Sequence, residues 1–124
     1  RKNHPKLKTG LSLEHFLALH HVRISPWGEK SGVVDQQLAA QGLKRHVAIQ
    51  LPNVMTAPYM VLNSDLILTL PRLIAEHLAK IIDIDIFEPP MPIPQYQLNL
   101  YWHKLNAKKA THIWLSNLVQ EMAH

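Results

Sequence analysis

The amino-acid sequence predicts an α/β fold in which short strands alternate with amphipathic helices. Apolar and polar residues alternate in several short segments, which is typical of strands with one buried face. Between them, apolar residues recur at the spacing of a helix, and Gly or Pro stands at several junctions. The predicted order is a helix, three strand–helix pairs, two more strands and a last helix, which favours a sheet with right-handed crossovers.

In the first half of the chain, capping residues and apolar spacing place the elements. The predicted elements are a helix over 11–18, a strand over 21–25, a helix over 33–41 and a strand over 47–51. Ser12 and Ser31 are expected to cap the two helices, because a serine side chain accepts a hydrogen bond from the first helical turn. Val34 and Leu38 form the expected inward face of the second helix, and Gly42 is expected to end it.

In the second half, prolines and apolar runs are the main signals. The predicted elements are a helix over 55–63, a strand over 66–70, a helix that starts at Pro71, strands over 82–86 and 96–103, and a C-terminal amphipathic helix. Pro58 must lie in the first turn of its helix, where its missing N–H costs no hydrogen bond. The prolines between 88 and 94 predict an extended segment, and residues 96–103 show the clearest alternation.

Composition excludes several classes of function. The chain has 124 residues, 47% of them hydrophobic, which fits one folded domain and not a disordered segment. It contains no cysteine, which excludes a disulfide framework, a thiol nucleophile and cysteine-based metal sites. No apolar run reaches the length of a membrane span, and we expect no signal peptide. Because the chain begins with Arg1, we expect it to be a piece of a longer protein.

The basic balance of the chain does not predict a nucleic-acid interface. The formal net charge is +4, but several basic residues lie near the N-terminus and others stand in pairs such as Lys44-Arg45 and Lys108-Lys109. No predicted helix carries a basic stripe of the kind that docks on phosphates or bases. We therefore expect a solvated, slightly basic surface and no direct contact with DNA.

Metal binding and catalysis are not expected. The nine histidines include His20 and His21, which would point to opposite faces of a strand, and His103 and His112, which a loop separates. No serine stands in a Gly-x-Ser-x-Gly turn, and the four glycines form no Gly-x-Gly pair for a phosphate. We expect no catalytic residue, no metal and no cofactor.

The loops that follow the first two strands are the predicted binding region. In open α/β sheets, ligands bind outside the carboxyl ends of the strands, where helix N-termini offer free N–H groups. The predicted binding residues are Ser25, Pro26, Trp27 and Gly28 after the first strand, and Asn53, Val54, Met55 and Thr56 after the second. Trp27 is the strongest candidate, because a Trp on a polar loop needs a partner for its ring.

Several short motifs occur in order along the chain. They are Arg1-Lys2-Asn3-His4-Pro5, Leu11-Ser12-Leu13-Glu14-His15-Phe16, His21-Val22-Arg23-Ile24-Ser25, Gly32-Val33-Val34-Asp35 and Asp65-Leu66-Ile67-Leu68-Thr69-Leu70-Pro71-Arg72. Three more follow: Pro92-Ile93-Pro94, Leu98-Asn99-Leu100-Tyr101-Trp102-His103 and Ile113-Trp114-Leu115. Their order and spacing resemble the effector-binding domain of the LysR-type transcriptional regulators of bacteria. The pairing of the Trp102-His103 strand end with the Trp114-Leu115 helix is similar to the branch that includes regulators of aromatic-compound degradation and of nodulation genes.

The resemblance implies a periplasmic-binding-protein-like fold of type II, with a small-molecule effector between two lobes. It assigns 1–19 to a remnant of the first lobe and the entry to the hinge, and 20–93 to the second lobe, a mixed sheet flanked by helices. It assigns 94–124 to a crossover strand and a C-terminal helix that return to the incomplete first lobe. It also implies a homodimer or homotetramer in the bacterial cytoplasm, away from the membrane, which binds DNA only through an N-terminal domain outside this chain.

Carried over by position, the implied effector-binding residues are Ser25, Trp27, Gly28, Asn53, Met55, Thr56, Tyr101 and Trp102, the last two near the hinge. Asn53 departs from relatives that often have His, and Lys108-Lys109 stands where the family often has Asp-Pro. The expected effector is a small carboxylate or aromatic compound. The alternatives are one lobe of a periplasmic-type solute-binding protein, an enzyme that uses cleft carboxylates and histidines, and a basic nucleic-acid module.

Overall fold

The computed structural model describes residues 1–95, 97 and 99–123. In chain order its elements are α1 (Leu13–Ala18), β1 (His20–Ile24), α2 (Val33–Ala39), β2 (His46–Leu51), α3 (Ala57–Leu62), β3 (Ile67–Leu68), α4 (Arg72–Ala79), a 3-10 turn (Lys104–Asn106) and α5 (Ala110–Met122). The chain divides into two compact units, one over Arg1–Pro94 and one that begins at Gln95. The domain limits expected after residues 19 and 93 stay predictions.

β1 is the central strand of a three-stranded sheet with the order β2-β1-β3. It pairs with β2 in parallel from His20 opposite His46 to Ile24 opposite Leu51, and in parallel with the short β3. The resemblance implies a mixed sheet, whereas the strands that the structure describes all run parallel. Parallel neighbours place the carboxyl ends of β1 and β2 at the same edge, which is the edge that the loops of interest leave.

Apolar side chains are buried on both faces of this sheet. One cluster holds the buried residues Phe16, Val34, Leu38 and Met91. The other holds the buried residues Val22, Ala57 and Val61. Ile67 packs against the first cluster and Leu68 against the second. Because neighbouring residues of a strand point to opposite faces, α2 and α3 cover opposite faces of the sheet.

The prediction that the first strand has only one buried face is wrong. Val22 lies in the α3 cluster, as expected for the apolar face. His21 and Ser25 are buried as well, at 0% and 4% exposure. The physical reason is the central position of β1, since a strand with helices on both sides must bury polar and apolar residues alike. Each buried polar side chain then needs a hydrogen-bond partner inside the protein.

Several predicted helix ends are confirmed. The Ser12 side chain accepts a hydrogen bond from the N–H of His15 at 3.1 Å. Gly42 has a φ of +70°. Its N–H and that of Leu43 donate back to carbonyls of the last turn of α2 at 3.0 and 2.9 Å, the Schellman pattern expected of a glycine at this position. Pro58 lies in the first turn of α3.

The expected cap of α2 is wrong. The residue at the N-cap is Gly32, and not Ser31, and its N–H donates to Oδ2 of Asp35 at 2.8 Å. The carboxylate of Asp35, in the first turn of the helix, therefore accepts the hydrogen bond of the N-cap N–H. A serine hydroxyl is not needed where an acidic side chain reaches back in this way.

Two predicted strands are not found. Residues 82–86 form no strand, and the N–H of Lys2 donates to the carbonyl of Asp83 at 3.2 Å in place of a ladder. In the segment 96–103, Tyr96 and Leu98 lie outside the described residues, and positions 97 and 99–103 form no strand. Alternation of apolar and polar residues shows that a segment could form a strand. The strand forms only if a neighbouring segment offers free N–H and C=O groups to pair with. Among the described residues, no helix is long and apolar enough to cross a membrane.

Candidate functional site

The segments that follow β1 and β2 start side by side at the carboxyl edge of the sheet. Ile24 pairs with Leu51 at the ends of the two strands. The N–H of Ser25 then donates to the carbonyl of Leu51 at 2.8 Å, one step beyond the last paired residues. The loop 25–32 and the loop 52–56 therefore leave the sheet from neighbouring positions. This is the edge at which the sequence predicts binding.

Glu29 folds back on the start of its own loop. The Ser25 hydroxyl lies 2.7 Å from Oε2 of Glu29 and 2.9 Å from the Glu29 carbonyl oxygen. The N–H of Trp27 donates to the same Oε2 at 3.2 Å. These donors stabilise the ionised carboxylate, and the bond from Ser25 in particular holds the pKa of Glu29 below its ordinary value.

The predicted residues Trp27 and Gly28 shape the same turn. The indole of Trp27 is 87% exposed, so the ring points to solvent. Gly28 has a φ of +76°, a backbone conformation that residues with a side chain rarely adopt. Its N–H donates to the Ser25 carbonyl at 3.2 Å. Gly28 therefore acts through the backbone of the turn, whereas Trp27 offers a free aromatic face.

The predicted residues after β2 form a second local turn. Oδ1 of Asn53 accepts the N–H of Met55 at 2.7 Å, and the Thr56 hydroxyl donates to the Asn53 carbonyl at 3.2 Å. Met55 is 61% exposed. Thr56 is the N-cap of α3 but makes no capping bond with its side chain. The polar groups of Asn53 and Thr56 thus hold this loop in shape, and Met55 lies free at its surface.

An open cavity of about 350 Å³ lies between the end of β1 and the start of α2. Of the predicted binding residues, Ser25 and Pro26 line it. Sequence reasoning missed the other lining residues, which are Arg23, Ile24, Glu29, Ser31, Gly32, Val33 and Gln36. Trp27, Gly28, Asn53, Met55 and Thr56 are not part of its wall.

Arg23 is the most informative of the residues missed. Its Nη1 donates to the Lys30 carbonyl at 2.7 Å and lies 3.5 Å from Oδ2 of Asp35. Its Nη2 donates to Oε1 of Gln50 on β2. Within the described part of the chain, its buried Nε has no partner. The sequence signal for Arg23 is a charged residue within a predicted strand. Such a residue is expected to face solvent unless both faces of the sheet are known to be covered by helices.

Arg45 and Asp35 form a buried ion pair, and Asp35 also contacts Arg23 of the cavity wall. Nε of Arg45 lies 2.7 Å from Oδ1 of Asp35, and its Nη2 lies 3.2 Å from Oδ2. The side chains are 4% and 17% exposed. Burial alone would raise the pKa of Asp35, but the hydrogen bonds from Arg45 and Gly32 outweigh it and leave the pKa below its ordinary value. Asp35 is therefore ionised between two guanidinium groups.

His21 connects this pair to α1. Its Nε2 lies 2.7 Å from the Phe16 carbonyl oxygen, and its Nδ1 lies 3.4 Å from Nη1 of Arg45. A carbonyl only accepts, so Nε2 carries the proton and Nδ1 accepts from the guanidinium. Burial, followed by the nearby Arg45, lowers the pKa of His21 to about 4 despite the bond to Phe16. The ring is neutral at physiological pH.

The remaining predicted residues lie in the unit that begins at Gln95. Tyr101 is 85% exposed, and Trp102 is 46% exposed. The Trp102 ring lies 5.2 Å from the ring of His112. Within the described residues, no three His, Asp or Glu side chains form a group that could hold a metal ion.

Comparisons with known proteins agree on one family. Residues 1–123 match the family described as LysR substrate binding domain. The transcriptional activator NahR of Pseudomonas putida is 27% identical over 122 residues, which cover 98% of this chain and 41% of NahR. The chain thus spans about two-fifths of the length of that curated relative.

Two crystal structures share the fold. A probable transcriptional regulator from Pseudomonas aeruginosa, PA0477, is 41% identical with a TM-score of 0.71, over 76% of this chain and 32% of that one. The regulatory domain of MexT, a transcriptional activator in the same organism, is 26% identical with a TM-score of 0.79, over 88% of this chain and 55% of that one.

Proposed function

Because this chain belongs to the family of LysR substrate binding domains, which are regulatory and bind effectors, we propose that it senses a small molecule for a bacterial transcriptional regulator. The observation that carries the proposal is the edge where β1 and β2 end together. There the loops 25–32 and 52–56 start side by side, and a cavity opens beside Ser25. Such an edge is where ligands bind in open α/β sheets.

The proposed ligand is a small carboxylate or aromatic compound. Ser25 and the backbone N–H groups of the turn are hydrogen-bond donors, which suit an anionic group. Trp27 and Met55 expose apolar surface at the same edge, which suits a ring. Asn53 and Thr56 hold the second loop in shape, and Tyr101 and Trp102 are proposed to lie near the hinge.

The proposed mechanism involves no catalysis. The effector would bridge two lobes, of which residues 20–93 form one and residues 94–124 return to the other. A ligand shifts such an equilibrium only as far as its affinity differs between the two states, and a coupling of about 1–3 kcal/mol is ordinary. The relatives named above are transcriptional regulators. We propose that the whole protein works as a homodimer or homotetramer in the cytoplasm and contacts DNA through a domain outside this chain.

The experiment is a thermal-shift screen of aromatic and aliphatic carboxylates on the full-length regulator. At least one acid should raise the melting temperature, and Trp27→Ala or Thr56→Ala should abolish that shift. Ile81→Ala is the matched control, because it trims a side chain that is 64% exposed just after α4 and leaves the two loops intact. The proposal fails if turnover of a substrate is found and is lost on Asn53→Ala or His103→Ala, or if every hit survives the loop substitutions.

A further inference from the structure

One carboxylate of the protein occupies the hydrogen-bond donors at the end of β1. Oε2 of Glu29 lies 2.7 Å from the Ser25 hydroxyl and 3.2 Å from the Trp27 nitrogen. Ser25 has a single hydroxyl proton, and the ionised carboxylate is a stronger acceptor for it than the neutral Glu29 carbonyl. Both donors therefore point at one negatively charged oxygen atom, which is the arrangement that an anionic ligand would need.

The charges around the cavity favour an anion at this place. Arg23 lines the cavity, whereas Arg45 and Asp35 do not. Both arginines contact Asp35, so two guanidinium groups share one carboxylate and leave one positive charge in excess. Arg23 and Glu29 line the same cavity, and Glu29 is the acidic side chain in its wall. The carboxylate of Glu29 thus complements the surplus charge as well as the two donors.

We infer that Glu29 is an internal occupant of the effector site, which a carboxylate effector must displace from Ser25 Oγ and the Trp27 N–H. The inference rests on the proposed function and adds a regulatory step to it. Glu29 lies in the loop that joins β1 to α2, so its release changes the loop that the effector touches. A carboxylate ligand competes with Glu29 for the two donors and is repelled by its charge, whereas a neutral ligand of the same shape competes for the donors without that repulsion.

The test compares benzoate with its neutral analogue benzamide in calorimetric titrations of the full-length regulator. Glu29→Gln should bind benzoate about tenfold more tightly than the parent protein, because the charged competitor is gone. Its affinity for benzamide should rise by less, because the amide carries no charge for Glu29 to repel. Glu14→Gln is the matched control, since it removes the same charge from the exposed first turn of α1 and should leave both affinities unaltered. Ser25→Ala should weaken benzoate binding, because it removes a donor that the ligand takes over.

A second measurement follows the contact between Glu29 and the turn without any ligand. In the parent protein, the backbone amide signal of Trp27 should move in an acid titration as the Glu29 carboxylate takes up a proton. In Glu29→Gln that movement should be absent, and Glu14→Gln should retain it. The inference is overturned if the Trp27 signal does not follow Glu29, or if Glu29→Gln binds benzoate no more tightly than the parent does. A carboxylate hit whose thermal shift is lost on Trp27→Ala or Thr56→Ala, but which binds Glu29→Gln no more tightly than the parent protein, keeps the proposed function and overturns this inference.

Discussion

The unit over Arg1–Pro94 has a hydrophobic core, whereas none of the described residues of the unit that begins at Gln95 is buried. Among the described residues, every buried side chain belongs to the first unit, from His4 to Met91. In the second, none of the described side chains of α5 is buried, and Trp114 and Met122 are 62% and 80% exposed. Both units contain amphipathic helices. The difference shows that an amphipathic pattern predicts that a helix forms. Burial of its apolar face also requires another element that packs against it.

The largest expected difference between the units is in the loss of stability when a leucine of each is replaced by alanine. Leu38 of α2 is 0% exposed, and Leu115 of α5 is 48% exposed. Leu38→Ala should lower the free energy of unfolding of this chain by about 3–5 kcal/mol, because it removes buried contacts and leaves a cavity. Leu115→Ala should change it by less than about 1 kcal/mol. Urea unfolding of both variants measures the two effects, and similar losses would show that α5 is buried in solution.

Charge pairs give the next comparison, within the first unit. Asp35→Asn should cost about 3 kcal/mol of unfolding free energy, since it leaves Arg45, whose side chain is 4% exposed, without its carboxylate. Asp65→Asn is the control, because the Arg1–Asp65 pair is 37% and 57% exposed. That change should cost about 1 kcal/mol or less. Urea unfolding at neutral pH separates the two, and a small loss for Asp35→Asn would contradict the buried pair.

The pH dependence of stability tests whether His21 is buried, with its exposed neighbour His20 as the comparison. The folded pKa of His21 is about 4, below the ordinary 6.5. Between these values the unfolded chain binds the proton and the folded chain does not, so stability falls as pH decreases from about 6.5 to about 4. The loss should reach about 2–3 kcal/mol.

Unfolding free energies measured across this range check the expectation. His21→Gln should flatten the curve, whereas His20→Gln, at the exposed preceding position, should leave it unchanged. A curve that stays flat in the parent protein, or that changes equally in both variants, would mean that the ring of His21 is hydrated.

The sequence was sufficient for features that depend on local geometry. Ser12, Gly42 and Pro58 each act through the first or last turn of one helix, and all were placed correctly. The shared edge at which the loops 25–32 and 52–56 start also followed from the sequence, because the carboxyl ends of neighbouring parallel strands meet at one edge.

Features that depend on distant partners could not be predicted in this way. Arg23 appears in the sequence as a polar residue on an open strand face, but the loop 25–32 and Gln50 enclose it. Ser25 was predicted, yet its partner Glu29 was not, because no pattern states that a loop folds back on itself. Residues 82–86 alternate as a strand should, but alternation does not supply a neighbouring strand.

The smallest expected effect on stability comes from the N-caps of α1 and α5, one helix in each unit. The Ser12 side chain caps α1, whereas Lys109 at the N-cap of α5 makes no side-chain bond. Ser12→Ala should lower the free energy of unfolding by about 1 kcal/mol, and Lys109→Asp should stabilise α5 by about the same amount. Circular dichroism would show a rise in helix content for Lys109→Asp only if the exposed helix frays. If a partner already covers α5 in solution, its helix content will not change, and its described side chains would then be exposed only in the isolated chain.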